Sequence, residues 1–243
     1  MKFFSKKSTL IFIAIPSLLI AAFALWATSS YKAMQEALDI MKPNDQVEFK
    51  NSNWIEFTSK NKPVQKAIII YPGGKVDPEA YASLAKNIAS NGYKAIIVRM
   101  PLDLAIFSPN IAEKVMSEYP NIKEWYIGGH SSGGVMAAKF AYSHQDKIKG
   151  LILLAAYPEP STNFSSSNIK VLSIYGTNDG LISKNKIDET KPLLPTSTKL
   201  IEIVGGNHSQ MGWYGFQKAD EVATISREKQ QNIITNAILE LIK

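Results

Sequence analysis

The sequence contains no cysteine. That excludes a thiolate nucleophile, a Cys-ligated zinc, an iron–sulfur centre, a disulfide scaffold and a lipoprotein anchor. It says little about compartment, because a chain of 243 residues can bury a core without disulfides. Histidine is nearly as scarce. His130, His144 and His208 are too scattered for a metal site, and no cofactor is expected. Internal repeats are absent, and 161–167 is the one low-complexity stretch, a polar loop. With 45% hydrophobic and 20% charged residues, the chain is neither disordered nor collagen-like.

Acidic residues are missing from positions 1–32, which carry Lys2, Lys6, Lys7 and Lys32. This flank accounts for most of the net charge of +6, since the other 211 residues hold 23 basic and 21 acidic side chains. No basic stripe interleaved with aromatics occurs, so no nucleic-acid partner is expected. Between Lys7 and Lys32 there are 24 uncharged residues, with an apolar heart over 10–26. About 20 apolar residues cross a bilayer as a helix, and a signal peptide needs roughly 7–15. The expectation is a transmembrane signal anchor over 8–30, contacting the lipid bilayer, behind a cytoplasmic basic flank at 1–7. The rest of the chain then lies on the extracytoplasmic side. Ala27-Thr28-Ser29 leaves cleavage and secretion as the alternative.

Residues 31–46 read as a linker with a short helix, and 47–243 as the main domain. Runs 47–50 and 54–59 alternate around Asn51-Ser52-Asn53 and predict a β-hairpin. Residues 67–71 are apolar throughout, as a strand covered on both faces must be. Asp77-Pro78 predicts a helix N-cap, and Gly92 its stop. Further strands are predicted at 94–98, 125–128, 151–155, 171–175 and 200–204, with helices at 110–119 and 133–143. Ile233, Ile234, Ala237, Ile238, Leu241 and Ile242 mark one face of a last helix. Strands alternating with helices mean an α/β fold with a doubly wound, mostly parallel sheet. The hairpin adds an antiparallel edge. No second soluble domain is delimited.

The sharpest local feature is Gly129-His130-Ser131-Ser132-Gly133, a Gly-x-Ser-x-Gly placed between a predicted strand and a predicted helix. That context defines a nucleophile elbow, which projects the serine hydroxyl above the sheet. The same glycines could make a plain strand-to-helix turn of a nucleotide-binding fold. The Gly-x-Gly-x-x-Gly and Gly-x-x-x-x-Gly-Lys frames of such folds are missing, however. A serine needs a base. His130 lies inside the turn, on the wrong side of its neighbour. His144 ends the following helix, far from the sheet's carboxyl edge. His208, in Gly205-Gly206-Asn207-His208, follows a strand at the edge where open α/β sheets place their sites. The orienting acid should fall between them in the chain. Asp179, in Gly176-Thr177-Asn178-Asp179-Gly180, follows a strand directly, which Asp146, Glu159, Asp188, Glu189 and Glu202 do not. The oxyanion donors are the backbone N–H of Ser132 and one from Tyr71-Pro72-Gly73-Gly74-Lys75. Gly74 is chosen, with Lys75 as the alternative. Leu102, Leu104, Ile106 and Phe107, and beyond the histidine Met211, Trp213, Tyr214 and Phe216, either pack their own loops or wall a pocket; Leu102, Phe107, Trp213 and Tyr214 are the candidates for the pocket.

These pieces, in this order, resemble the α/β-hydrolase fold superfamily over about residues 47–242. The nearest likeness is a small bacterial branch of membrane-anchored or exported, dienelactone-hydrolase- or esterase-like enzymes. The resemblance implies a Ser131–His208–Asp179 triad and a small-molecule ester, amide or thioester as substrate. Two departures stand out. Pro72-Gly73-Gly74 replaces the His-Gly-Gly of many esterases. Only 156–170 separates the sixth and seventh strands, where many lipases insert a lid. The rival expectations are an acyltransferase, a C–C hydrolase or a peptidase on the same triad, or a membrane-tethered binding protein without turnover. Oligomeric state is not legible.

Overall fold

The computed structural model describes residues 18–19, 22–61 and 63–243. They fall into two compact units, 1–30 and 31–243. In the first, residues 22–28 are helical. The basic flank at 1–7, and positions 8–17, 20 and 21 of the expected anchor, lie outside the described residues. Among the described residues no helix is long and apolar enough to cross a membrane.

The second unit carries one sheet of eight strands. They are β1 (Val47–Asn51), β2 (Ile55–Ser59), β3 (Lys66–Tyr71), β4 (Lys94–Ile97), β5 (Glu124–His130), β6 (Ile148–Leu154), β7 (Lys170–Gly176) and β8 (Lys199–Ile203), in the order β1-β2-β4-β3-β5-β6-β7-β8. β3 to β8 pair parallel with one another, and the antiparallel hairpin of β1 and β2 joins them at one edge through an antiparallel pairing of β2 with β4. The eight runs read from the sequence are these eight strands, within a few residues at each end.

Both faces of the inner strands β3 to β7 are covered, which is why they are mostly apolar, whereas the edge strands β1 and β8 are partly exposed and carry charges. Ile68 and Ile70 of β3 point to one side and pack with Leu84 and Ile88 of α2 (Ala82–Ser90) and Ile234 and Ile238 of α6 (Arg227–Ile242). Ile69 points to the other, with Val115 of α3 (Ile111–Glu118) and Ala137 and Phe140 of α4 (Ser132–Ser143). Each fully buried isoleucine contributes about 1.5–3 kcal/mol relative to exposure.

Two local expectations change. Asp77 does not cap the helix that follows it, which starts as a 3-10 turn at Pro78–Tyr81. Its carboxylate is taken by the Ala33 N–H at 3.2 Å and the Lys32 ammonium at 3.3 Å. The seven-residue helix α5 (Lys184–Thr190) was not visible as a periodic run; Ser183 caps it by accepting from the Lys186 N–H.

Residues 31–46 belong to this unit and include α1 (Gln35–Asp39). The Tyr31 N–H donates to the Lys75 carbonyl at 2.7 Å, and the Met34 N–H to the Trp213 carbonyl at 2.8 Å. This segment therefore ties the loop after β3 to the loop after β8.

Candidate active site

Parallel strands end on one edge, so sheet order decides which loops meet there. β3 lies beside β5, with Tyr71 opposite Gly129. The loop 72–75 therefore abuts the turn at Ser131. β7 lies beside β8, so the loops of Asp179 and His208 are also neighbours.

Ser131 joins β5 to α4 with φ 53° and ψ −128°. A serine in that conformation costs of order 1–3 kcal/mol, which the surrounding structure must offset. The turn is anchored by the Ser131 N–H on the Leu154 carbonyl at 3.0 Å. It is closed by Gly133, where a Cβ would fall 2.1 Å from the Pro72 carbonyl oxygen. The helix start is thus pressed against the loop after β3, and only glycine fits there.

His208 Nδ1 lies 2.9 Å from Asp179 Oδ2 and 3.1 Å from Oδ1, and both side chains are fully buried. Asp179 Oδ1 also accepts the N–H groups of Leu181 at 2.9 Å and Ile182 at 2.7 Å. An acceptor-only carboxylate at Nδ1 makes that nitrogen the donor and leaves Nε2 with a lone pair. Nε2 has no hydrogen-bond partner among the described residues, Ser131 included. Such serine–histidine contacts are often loose before substrate binds. The His208 ring stands 4.5 Å from the ring of His130, the residue before the serine, so it is at the turn.

The loop after β3 distinguishes its three N–H groups. Gly73 donates to the Tyr81 hydroxyl at 2.9 Å, and Lys75 to the Asp103 carbonyl at 2.8 Å. The Gly74 N–H has no such acceptor among the described residues. A Cβ on Gly74 would lie 2.7 Å from Ser132 Oγ, so the two candidate oxyanion residues touch. Of the two positions left open by the sequence, Gly74 is the one free to donate.

His130 is buried under this loop. Its Nδ1 meets the Tyr81 hydroxyl at 2.8 Å. Burial first, and then the neighbouring His208, hold its pKa well below 6.5. Burial likewise holds the Tyr81 phenol well above its usual range, with the Gly73 N–H pulling the other way. The Tyr81 hydroxyl thus links the loop after β3 to the turn, a role no sequence motif announced. His144 ends α4, where it meets the Phe140 carbonyl and Glu113, away from the site as expected.

The pocket residues divide. Leu102 and Phe107 are 37% and 56% exposed, on the loop whose Leu104 flanks Gly74. Both are at the surface. Tyr214 is fully buried, and its hydroxyl donates to the His208 carbonyl at 3.4 Å. A side chain without exposed surface cannot line an open pocket, so Tyr214 is corrected to packing for the histidine loop. Trp213 is partly buried, with the Arg227 guanidinium 5.9 Å from its ring. Asp220, which lies past the histidine in a stretch without motif or periodicity, reaches both the Asp179 loop and the His208 loop.

Residues 67–232 match the alpha/beta hydrolase family, and the chain belongs to that family of enzymes. No curated protein matches it by sequence. Among solved structures it is similar to a CIB-like hydrolase from Thermoplasma acidophilum, at 15% identity and a TM-score of 0.60, covering 81% of this chain and 98% of that one. It is also similar to Est1E from Butyrivibrio proteoclasticus with ferulic acid bound, at 15% identity and a TM-score of 0.62, covering 82% and 98%. A third is a soluble variant of the Saccharomyces cerevisiae monoglyceride lipase in complex with a substrate analog, at 12% identity and a TM-score of 0.58, covering 84% and 95%. At these identities the likeness concerns the fold.

Proposed function

We propose that the protein is a serine hydrolase that cleaves a small or flexible carboxylic ester through an acyl-enzyme on Ser131. The observation that carries this reading is the buried Asp179–His208 pair, whose Nε2 has no partner among the described residues and whose ring packs 4.5 Å from that of His130, the residue before the serine on its strained turn. Ser131 Oγ attacks the carbonyl carbon while Nε2 takes its proton. The Gly74 and Ser132 N–H groups hold the oxyanion, each such donor being worth about 2.7–4 kcal/mol. Collapse returns the proton to the leaving alcohol. Water, deprotonated by His208, then releases the acid.

Esters are favoured over other acyl compounds because fold neighbours include an esterase that holds ferulic acid and a monoglyceride lipase. A compact substrate is favoured because only 155–169 joins β6 to β7, leaving no room for a lid. The apolar run at 10–26 and the lysines at 2, 6 and 7 support a single-pass anchor with this domain outside the membrane.

The test is partitioning. With p-nitrophenyl acetate and phenyl acetate in dilute methanol, a shared acetyl-enzyme gives the same ratio of methyl acetate to acetate from both. Ratios that follow the leaving group contradict an acyl-enzyme. Methyl acetate far above its share of the solvent would make the enzyme a transferase instead.

A further inference from the structure

We infer that Asp220 is a positioning residue that fixes the geometry of the His208–Asp179 pair, an inference that rests on the serine-hydrolase reading above. One carboxylate receives donors from both loops. Its Oδ1 accepts the N–H of Gly180, the residue after Asp179, at 3.1 Å, and the N–H of His208 itself at 3.3 Å. It also accepts the Glu221 N–H at 2.9 Å. Its Oδ2 accepts the N–H of Ser209 at 2.7 Å and the Ser209 hydroxyl at 2.6 Å.

The neighbours of Asp220 repeat the pattern. Asn178 Nδ2 donates to the Val222 carbonyl at 3.0 Å, and Asn207 Nδ2 to the Glu221 carbonyl at 2.7 Å. Each loop thus reaches the segment 220–222 from the residue just before its candidate catalytic side chain. Ala219, immediately upstream, holds φ at 75°, a conformation that costs an alanine energy and persists only where the surroundings enforce it. The two loops leave adjacent strands and already meet at their bases, where the Asn178 N–H donates to the Gly206 carbonyl and the Gly205 N–H to the Thr177 hydroxyl, each at 2.8 Å; Asp220 adds a tie at the candidate catalytic residues themselves. Charge-assisted hydrogen bonds to one partly buried carboxylate are about twice as strong as neutral ones. Asparagine cannot replace it, because its NH2 would face N–H donors on whichever side it took.

The test uses the full chain and p-nitrophenyl acetate. Asp220→Asn is expected to lower kcat about ten- to hundredfold with KM within about twofold, since displacement by ~1 Å can cost 10²-fold. In an Asp179→Asn background the same substitution should cost less than about threefold, because the pair it aligns is already lost. Ser209→Ala deletes one donor to Oδ2 and should cost about threefold with the fold intact. It decides the matter if Asp220→Asn does not fold. Wild-type kcat in both Asp220→Asn and Ser209→Ala would overturn the inference. So would an equal fold-loss from Asp220→Asn in both backgrounds, the mark of a merely structural residue. Ser131→Ala is measured alongside. Turnover surviving there would sink the serine reading itself, a separate result.

Discussion

Asp179→Asn is expected to lower kcat by about 10⁴ while leaving the fold in place. The reason lies in two backbone hydrogen bonds. Leu181 and Ile182 both donate to Asp179 Oδ1, so an asparagine must keep its carbonyl oxygen there. Its NH2 then takes the position of Oδ2, 2.9 Å from His208 Nδ1. Two donors cannot face each other, so Nδ1 becomes the acceptor and the imidazole proton moves to Nε2. A protonated Nε2 cannot accept from serine. Steady-state hydrolysis of p-nitrophenyl acetate, with the urea midpoint as control, checks this. A loss below tenfold in a folded variant would mean that Asp179 does not set the tautomer.

The second large effect is on acid stability. The native protein holds His130 neutral, buried against Tyr81 and His208, with its pKa well below 6.5. The unfolded chain takes a proton on the same residue near pH 6.5. The unfolded state therefore binds more protons below that pH, and stability falls as the pH falls. The contribution is present in full above pH 6.5 and is lost below it at up to about 1.4 kcal/mol per pH unit. His130→Gln has nothing to titrate and should show a correspondingly shallower acid limb in urea unfolding at pH 7.0, 5.5 and 4.5. Parallel limbs would show that His130 becomes protonated in the folded state.

Much of this was legible in the chain because the physics is local. A parallel strand buried on both faces must be apolar throughout, and runs such as Ile68-Ile69-Ile70 say so directly. The turn at Ser131 needs small residues at fixed offsets, so Gly129 and Gly133 announce it. His208 and Asp179 follow from strand ends and chain order. What stayed hidden depends on partners distant in sequence. Asp77 has the identity and position of an N-cap, yet Lys32 and Ala33, more than 40 residues earlier, claim its carboxylate. Tyr81 gave no sign that its hydroxyl would hold Gly73 and leave Gly74 as the free donor. Asp220 lies in a polar stretch without periodicity, twelve residues past the histidine it serves. Tyr214 was misplaced for the opposite reason: aromatic residues after a catalytic loop suit a pocket and a core equally, and only burial separates them.

An activated serine is phosphonylated by a fluorophosphonate probe, and an ordinary serine is not, so the probe reads the state of Ser131 itself. The full-length protein is labelled at pH 7.5, digested, and the modified peptide located by mass. One phosphonylated residue is expected, Ser131, with no label after prior unfolding or in Ser131→Ala. A folded protein that takes no label, or takes it on another residue, would contradict an activated Ser131.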